Sequence, residues 1–169
     1  MNQKRISTCL IAAGVIAGLG ILCWAALYAP MMAQEALSVL TREGGGPAAA
    51  QRPETLYWVG LCGVWVTSAI LLLALAEYLM VSVRIGRDRS FCPENVRSLF
   101  RIALYLLFDG VLWLIAIFVP GLLGYPCGPA WLIFLLAALA HFALSLLAWS
   151  LGKLLGKAVS IQQENELTV

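Results

Sequence analysis

Charge is what this sequence has least of. Only 12% of its 169 residues are charged and 62% are hydrophobic, against about 25% and 45–50% in soluble globular chains. That balance excludes an ordinary soluble domain, and apolar runs of about twenty residues, each able to cross a hydrocarbon core of roughly 30 Å, take up most of the length. Histidine is almost absent, His141 being the only one. The five cysteines, Cys9, Cys23, Cys62, Cys92 and Cys127, form no CxxC pair and show no metal-ligand spacing with His141. Neither a disulfide framework, a metal site nor a cofactor is therefore expected. A four-helix disulfide oxidoreductase needs cysteine pairs on the outer face, and a membrane hydrolase needs a nucleophile with a positioned base. His141 has only Ser145, one helical turn on. The net charge of +2 gives no bulk attraction for nucleic acid. These absences point to a protein that is not an enzyme and does not bind nucleic acid directly.

What is present is a single transmembrane domain, all-α, built from four apolar runs at about 6–29, 56–83, 101–123 and 130–151. The first run is opened by Lys4 and Arg5 and closed by Trp24, Tyr28 and Pro30; its apolar stretch exceeds the roughly 7–15 residues of a signal-peptide core, so it is read as a spanning helix. An outer loop, 30–55, contains Gly44-Gly45-Gly46-Pro47 and reads as flexible. The connector 84–100 is basic, with Pro93 and Glu94 suited to the first turn of the third helix. A tail, 152–169, follows the fourth run.

Orientation follows from the basic residues, which are retained on the cytoplasmic side. Lys4, Arg5, Arg84, Arg87, Arg89, Arg97, Arg101, Lys153 and Lys157 share one side, and only Arg42 and Arg52 fall in the first loop. Both termini are therefore expected in the cytoplasm. Trp24, Tyr28, Tyr57, Trp58, Tyr125 and Trp131 form an outer aromatic belt.

Three ionisable residues lie within the apolar runs: Glu77, Asp109 and His141. Each costs about 2.5–3.5 kcal/mol or more facing lipid at mid-span, so each should face a neighbouring helix or water. At about 1.5 Å per residue they sit roughly 9, 12 and 15 Å from the cytoplasmic helix ends. One reading is a proton- or cation-coupled site with His141 as proton carrier, since histidine is the side chain that ordinarily titrates near neutrality. The other is packing, with Glu77 reaching the cytoplasmic interface or pairing with Arg84, and Asp109 and His141 hydrogen-bonded across helices. Gly14 and Gly18 form a small-xxx-small face suited to close helix packing, within the chain or in a homo-oligomer. The arginines of the connector lie where anionic membrane lipid attracts them, by about 1 kcal/mol each.

The connector Ile85-Gly86-Arg87-Asp88-Arg89-Ser90-Phe91-Cys92-Pro93-Glu94-Asn95-Val96-Arg97 and the ending Glu164-Asn165-Glu166-Leu167-Thr168-Val169 resemble the domain of unknown function 2975 family, small bacterial four-helix membrane proteins. The resemblance implies the bacterial cytoplasmic membrane, no established enzymatic activity and frequent genomic pairing with a small helix-turn-helix transcription regulator. It supplies no family site. Arg87, Phe91, Asn95, Arg97, Glu164, Asn165, Leu167 and Val169 are the candidate partner-binding residues, all on the expected cytoplasmic face, and a regulatory or accessory partner role is the expectation they support.

Overall fold

The computed structural model describes residues 3–31, 33–34, 53–122 and 130–167. Most of the expected outer loop, the turn around Tyr125 and Val169 lie outside them. All regular structure among the described residues is helical: α1 (Gln3–Cys23), prolonged by a π-helical turn at Trp24–Tyr28, then α2 (Pro53–Gly86), α3 (Pro93–Leu122) and α4 (Ala130–Leu167). All four are long and apolar enough to cross a membrane. Helices outrun the apolar stretches because polarity marks where a helix leaves hydrocarbon, not where its hydrogen bonding stops. α3 begins at Pro93, well before the apolar run. α4, at 38 residues, is about 57 Å long, nearly twice a hydrocarbon core.

The helices run up and down and touch extensively in chain order, α1 with α2, α2 with α3 and α3 with α4. One end of this open bundle therefore gathers the start of α1, the α2–α3 connector and the last turns of α4, and with them nine basic residues from Lys4 to Lys157.

Small residues set the seams. On α4, Ala138, Ser145, Gly152 and Val159 recur every seven residues and all are buried, the repeat that keeps one stripe against an antiparallel neighbour. Against it lie Ala103, 1% exposed, whose carbonyl accepts a 2.7 Å hydrogen bond from Ser145 Oγ, and Phe100, whose ring a Cβ on Gly152 would approach to 3.2 Å. Gly14 and Gly18 face Leu79 and Leu75 of α2, so their face is occupied within the chain. Nearer the basic end, Ser7 Oγ donates to the Ser82 carbonyl at 2.7 Å and sits directly over Gly86.

Pro30 explains the π turn. It lacks the N–H that would close a helical bond and its ring crowds the preceding turn. The chain widens instead: Ala29 N–H bonds the Trp24 carbonyl, five residues back. The next such bond would need an N–H at Pro30, leaving the Ala25 carbonyl without its helical partner. Trp65 Nε1 of α2 donates to that oxygen at 3.2 Å. Within a membrane such a carbonyl has no water to turn to, so the indole both satisfies it and fixes α1 against α2.

Candidate functional site

Two ionisable pairs lie along α3, each with a buried carboxyl group. Near the basic end, Arg101 Nη1 of α3 lies 2.9 Å from Glu77 Oε1 of α2. The Glu77 side chain is only 8% exposed, whereas Arg101 is mostly in the open. Glu77 thus pairs across the interface, while Arg84 turns instead to Ser98 Oγ at 3.0 Å and Asn95 Oδ1 at 3.4 Å. The sequence-based pairing of Glu77 with Arg84 on the same helix gives way because antiparallel packing brings Arg101 alongside.

Two turns deeper, Asp109 of α3 and His141 of α4 meet, Asp109 Oδ2 being 3.0 Å from His141 Nε2. Asp109 has no exposed surface and the His141 side chain 16%. The contact is at ion-pair distance, and neither carboxyl oxygen has a hydrogen-bond donor among the described residues as the protons stand. The other ring nitrogen, Nδ1, lies 2.7 Å from the Ala137 carbonyl. Gly110 makes the contact possible, since a Cβ there would come within 3.0 Å of Phe142 and 3.3 Å of His141 Cβ. Trp113, one turn beyond Asp109, lies with its ring 6.5 Å from His141 at an interplanar angle of 26°, and packs on Phe134. Its buried indole N–H lies near the Asp109 carboxyl and interacts with it without reaching full hydrogen-bond geometry. The three predicted intramembrane residues are therefore two separate pairs, Glu77 with Arg101 and Asp109 with His141. Gly110 and Trp113 escaped the sequence reading, although a small residue beside an intramembrane acid and an aromatic one turn later were the available signals. Ser145 is committed to the Ala103 carbonyl.

The connector is held by backbone chemistry. Asp88 adopts φ 59°, and around it Arg89 N–H bonds the Arg84 carbonyl at 3.0 Å and Asp88 N–H the Ile85 carbonyl at 3.1 Å. This crossed pair ends a helix with a left-handed residue, a place usually given to glycine and tolerated by aspartate. Asn95, 1% exposed, then clamps the loop: its Nδ2 donates to the carbonyls of Arg89 at 3.1 Å and Ser90 at 3.0 Å. Asn95 is thus an internal brace, and the connector exposes Arg87, Asp88, Arg89, Phe91, Glu94 and Arg97. Phe91 is 59% exposed. Beside it, a groove of about 420 Å³ is lined by connector residues from Asp88 to Glu94 together with Gln162 of α4. Glu164 and Asn165 lie exposed on the same extension of α4. Leu167 is the last described residue of that helix, its side chain falling outside the description.

No group of three or more histidine, cysteine, aspartate or glutamate side chains able to hold a metal ion occurs among the described residues. No curated protein and no solved structure matches the chain. A family model described as "Protein of unknown function (DUF2975)" matches residues 44–169, which span α2, α3, α4 and both segments that form the groove. The chain belongs to the DUF2975 family of proteins of unknown function.

Proposed function

We propose that this protein is a non-enzymatic regulatory or accessory component of the bacterial inner membrane, holding a small helix-turn-helix regulator at its cytoplasmic end. The observation that carries this reading is the groove built jointly by the braced connector and the extension of α4, with an exposed phenylalanine at its side. A large apolar side chain kept outward on a loop fixed by a buried asparagine is the arrangement of an anchor residue at an interface. The lining carries Arg89 together with Asp88 and Glu94, which favours a partner with both signs of charge around an apolar contact, and these charges steer its approach. The test is co-purification in mild detergent of the full chain with the co-expressed regulator. Retention by the full chain, and loss on deleting residues 162–169 or on Phe91→Glu, is the expected result. No association of the full chain overturns the proposal.

A second reading, a small proton- or cation-coupled transporter, is favoured by the Asp109–His141 contact within the apolar span. It predicts proton-coupled flux in proteoliposomes that His141→Ala and Asp109→Asn abolish. Flux that is absent, or unchanged in both variants, removes it.

A further inference from the structure

The contacts of His141 fix more than its position. Its Nδ1 lies 2.7 Å from the Ala137 carbonyl, and a carbonyl oxygen offers only lone pairs, so Nδ1 carries a hydrogen. In a neutral imidazole the remaining nitrogen, Nε2, is then a bare acceptor. It faces Asp109 Oδ2 at 3.0 Å. An ionised carboxylate there would set two electron-rich atoms against each other at a site where Asp109 has no exposed surface and where an unpaired charge is costly. One additional proton removes the conflict. On Nε2 it makes an imidazolium facing a carboxylate; on Oδ2 it makes a carboxylic acid facing a neutral imidazole. Both forms are neutral overall, which is what a dry, low-dielectric interface favours.

Among the described residues, no other cation nearby is free to balance the Asp109 carboxylate. On α3 the neighbouring titratable side chain is Tyr105, one turn away, and Arg101 is already paired with Glu77. Between Tyr57 and Glu77, α2 carries only Cys62 as a titratable side chain, and on α4 the nearest beyond His141 is Lys153, three turns on. Trp113, Phe134, Phe142 and Gly110 enclose the pair with apolar surface and one indole N–H.

We propose that Asp109 and His141 together bind one proton within the α3–α4 interface, forming a proton-binding site inside the apolar part of the protein. The proposal is independent of the partner-holding role and stands or falls separately. Because His141 is the only histidine, nitrogen-15 labelling of histidine reports this one site in the full chain. In nanodiscs, the wild-type spectrum is expected to show Nδ1 protonated and Nε2 protonated or strongly hydrogen-bonded. Asp109→Leu is expected to shift Nε2 to the position of a bare ring nitrogen while Nδ1 keeps its hydrogen. Asp109→Asn, nearly isosteric and with an amide N–H to offer Nε2, restores a hydrogen-bonded signal and removes its dependence on pH. A wild-type His141 protonated on Nε2 alone, or a spectrum unchanged in Asp109→Leu, overturns the proposal. Should Asp109→Leu not fold, the wild-type protonation pattern and the loss of pH dependence in Asp109→Asn decide the matter.

Discussion

Replacing Asn95 with alanine should open the connector while leaving the rest of the bundle in place. The side chain is buried and its Nδ2 makes two hydrogen bonds, to the Arg89 and Ser90 carbonyls at 3.1 and 3.0 Å. At about 1 kcal/mol net for each, their loss removes about 2 kcal/mol of local stability, and stranded polar groups raise the figure further. The contact from Arg84 to Asn95 Oδ1, at 3.4 Å, is long and adds little. Arg87 and Arg89 lie within the loop that Asn95 clamps, so trypsin reports its opening directly. When opening and closing are fast relative to cleavage, the rate follows the open population, and about 2 kcal/mol corresponds to cleavage roughly thirty times faster. Lys153 and Lys157 on α4 serve as internal controls. In mild detergent, cleavage after Arg87 and Arg89 should accelerate while cleavage after the two lysines stays unchanged. Equal rates at Arg87 and Arg89 in wild type and Asn95→Ala would refute the clamp, and acceleration at all four sites would show a global rather than a local effect.

Three further substitutions test the fold. At Asp88, whose φ is 59°, valine should destabilise by about 1–2 kcal/mol because a β-branched residue resists the left-handed region; glycine should be tolerated, both read as shifts in Tm. Gly86→Ala should destabilise by about 1–3 kcal/mol, since its Cβ would lie 2.8 Å from Ser7 Cβ; measured in a Ser7→Gly background the same change should cost much less, and an undiminished cost would place the clash elsewhere. Trp65→Phe should cost about 1 kcal/mol by stranding the Ala25 carbonyl, and much of that cost should vanish in a Pro30→Ala background, where the helix can close its own bonds, as measured by the Tm of the double variant.

Much of this architecture is legible because a membrane imposes it. A chain that leaves backbone groups nowhere else to bond must write its spans as apolar runs, and Pro93 with Glu94 marks the start of α3 for equally local reasons. Departures arise where one helix answers another. Pro30 looks like the end of α1, yet the helix continues through a π turn because Trp65, forty residues away, takes the carbonyl that proline leaves without a partner. The apolar run stops at 83, yet α2 continues to Gly86, with the left-handed position at Asp88 and the glycine needed for Ser7 to approach. The candidate site divides in the same way. The similar depths of Asp109 and His141 could be counted from helix ends, whereas the choice of Arg101 over Arg84 by Glu77 depends on the register of α2 against α3. That register is set by small residues spread along the seams. Asn95 reads as an exposed polar residue of a binding loop, but its burial becomes visible only once the loop has folded over it.

We propose that the end formed by the connector and the extension of α4 holds a protein partner. A photo-crosslinking amino acid placed at position 91, in cells co-expressing the helix-turn-helix regulator, tests it most directly. One adduct of the mass of this chain plus the regulator is expected, lost when residues 162–169 are deleted and absent when the probe stands at Leu146, an exposed position on the apolar part of α4. No adduct from position 91, or an equal yield from position 146, would contradict it.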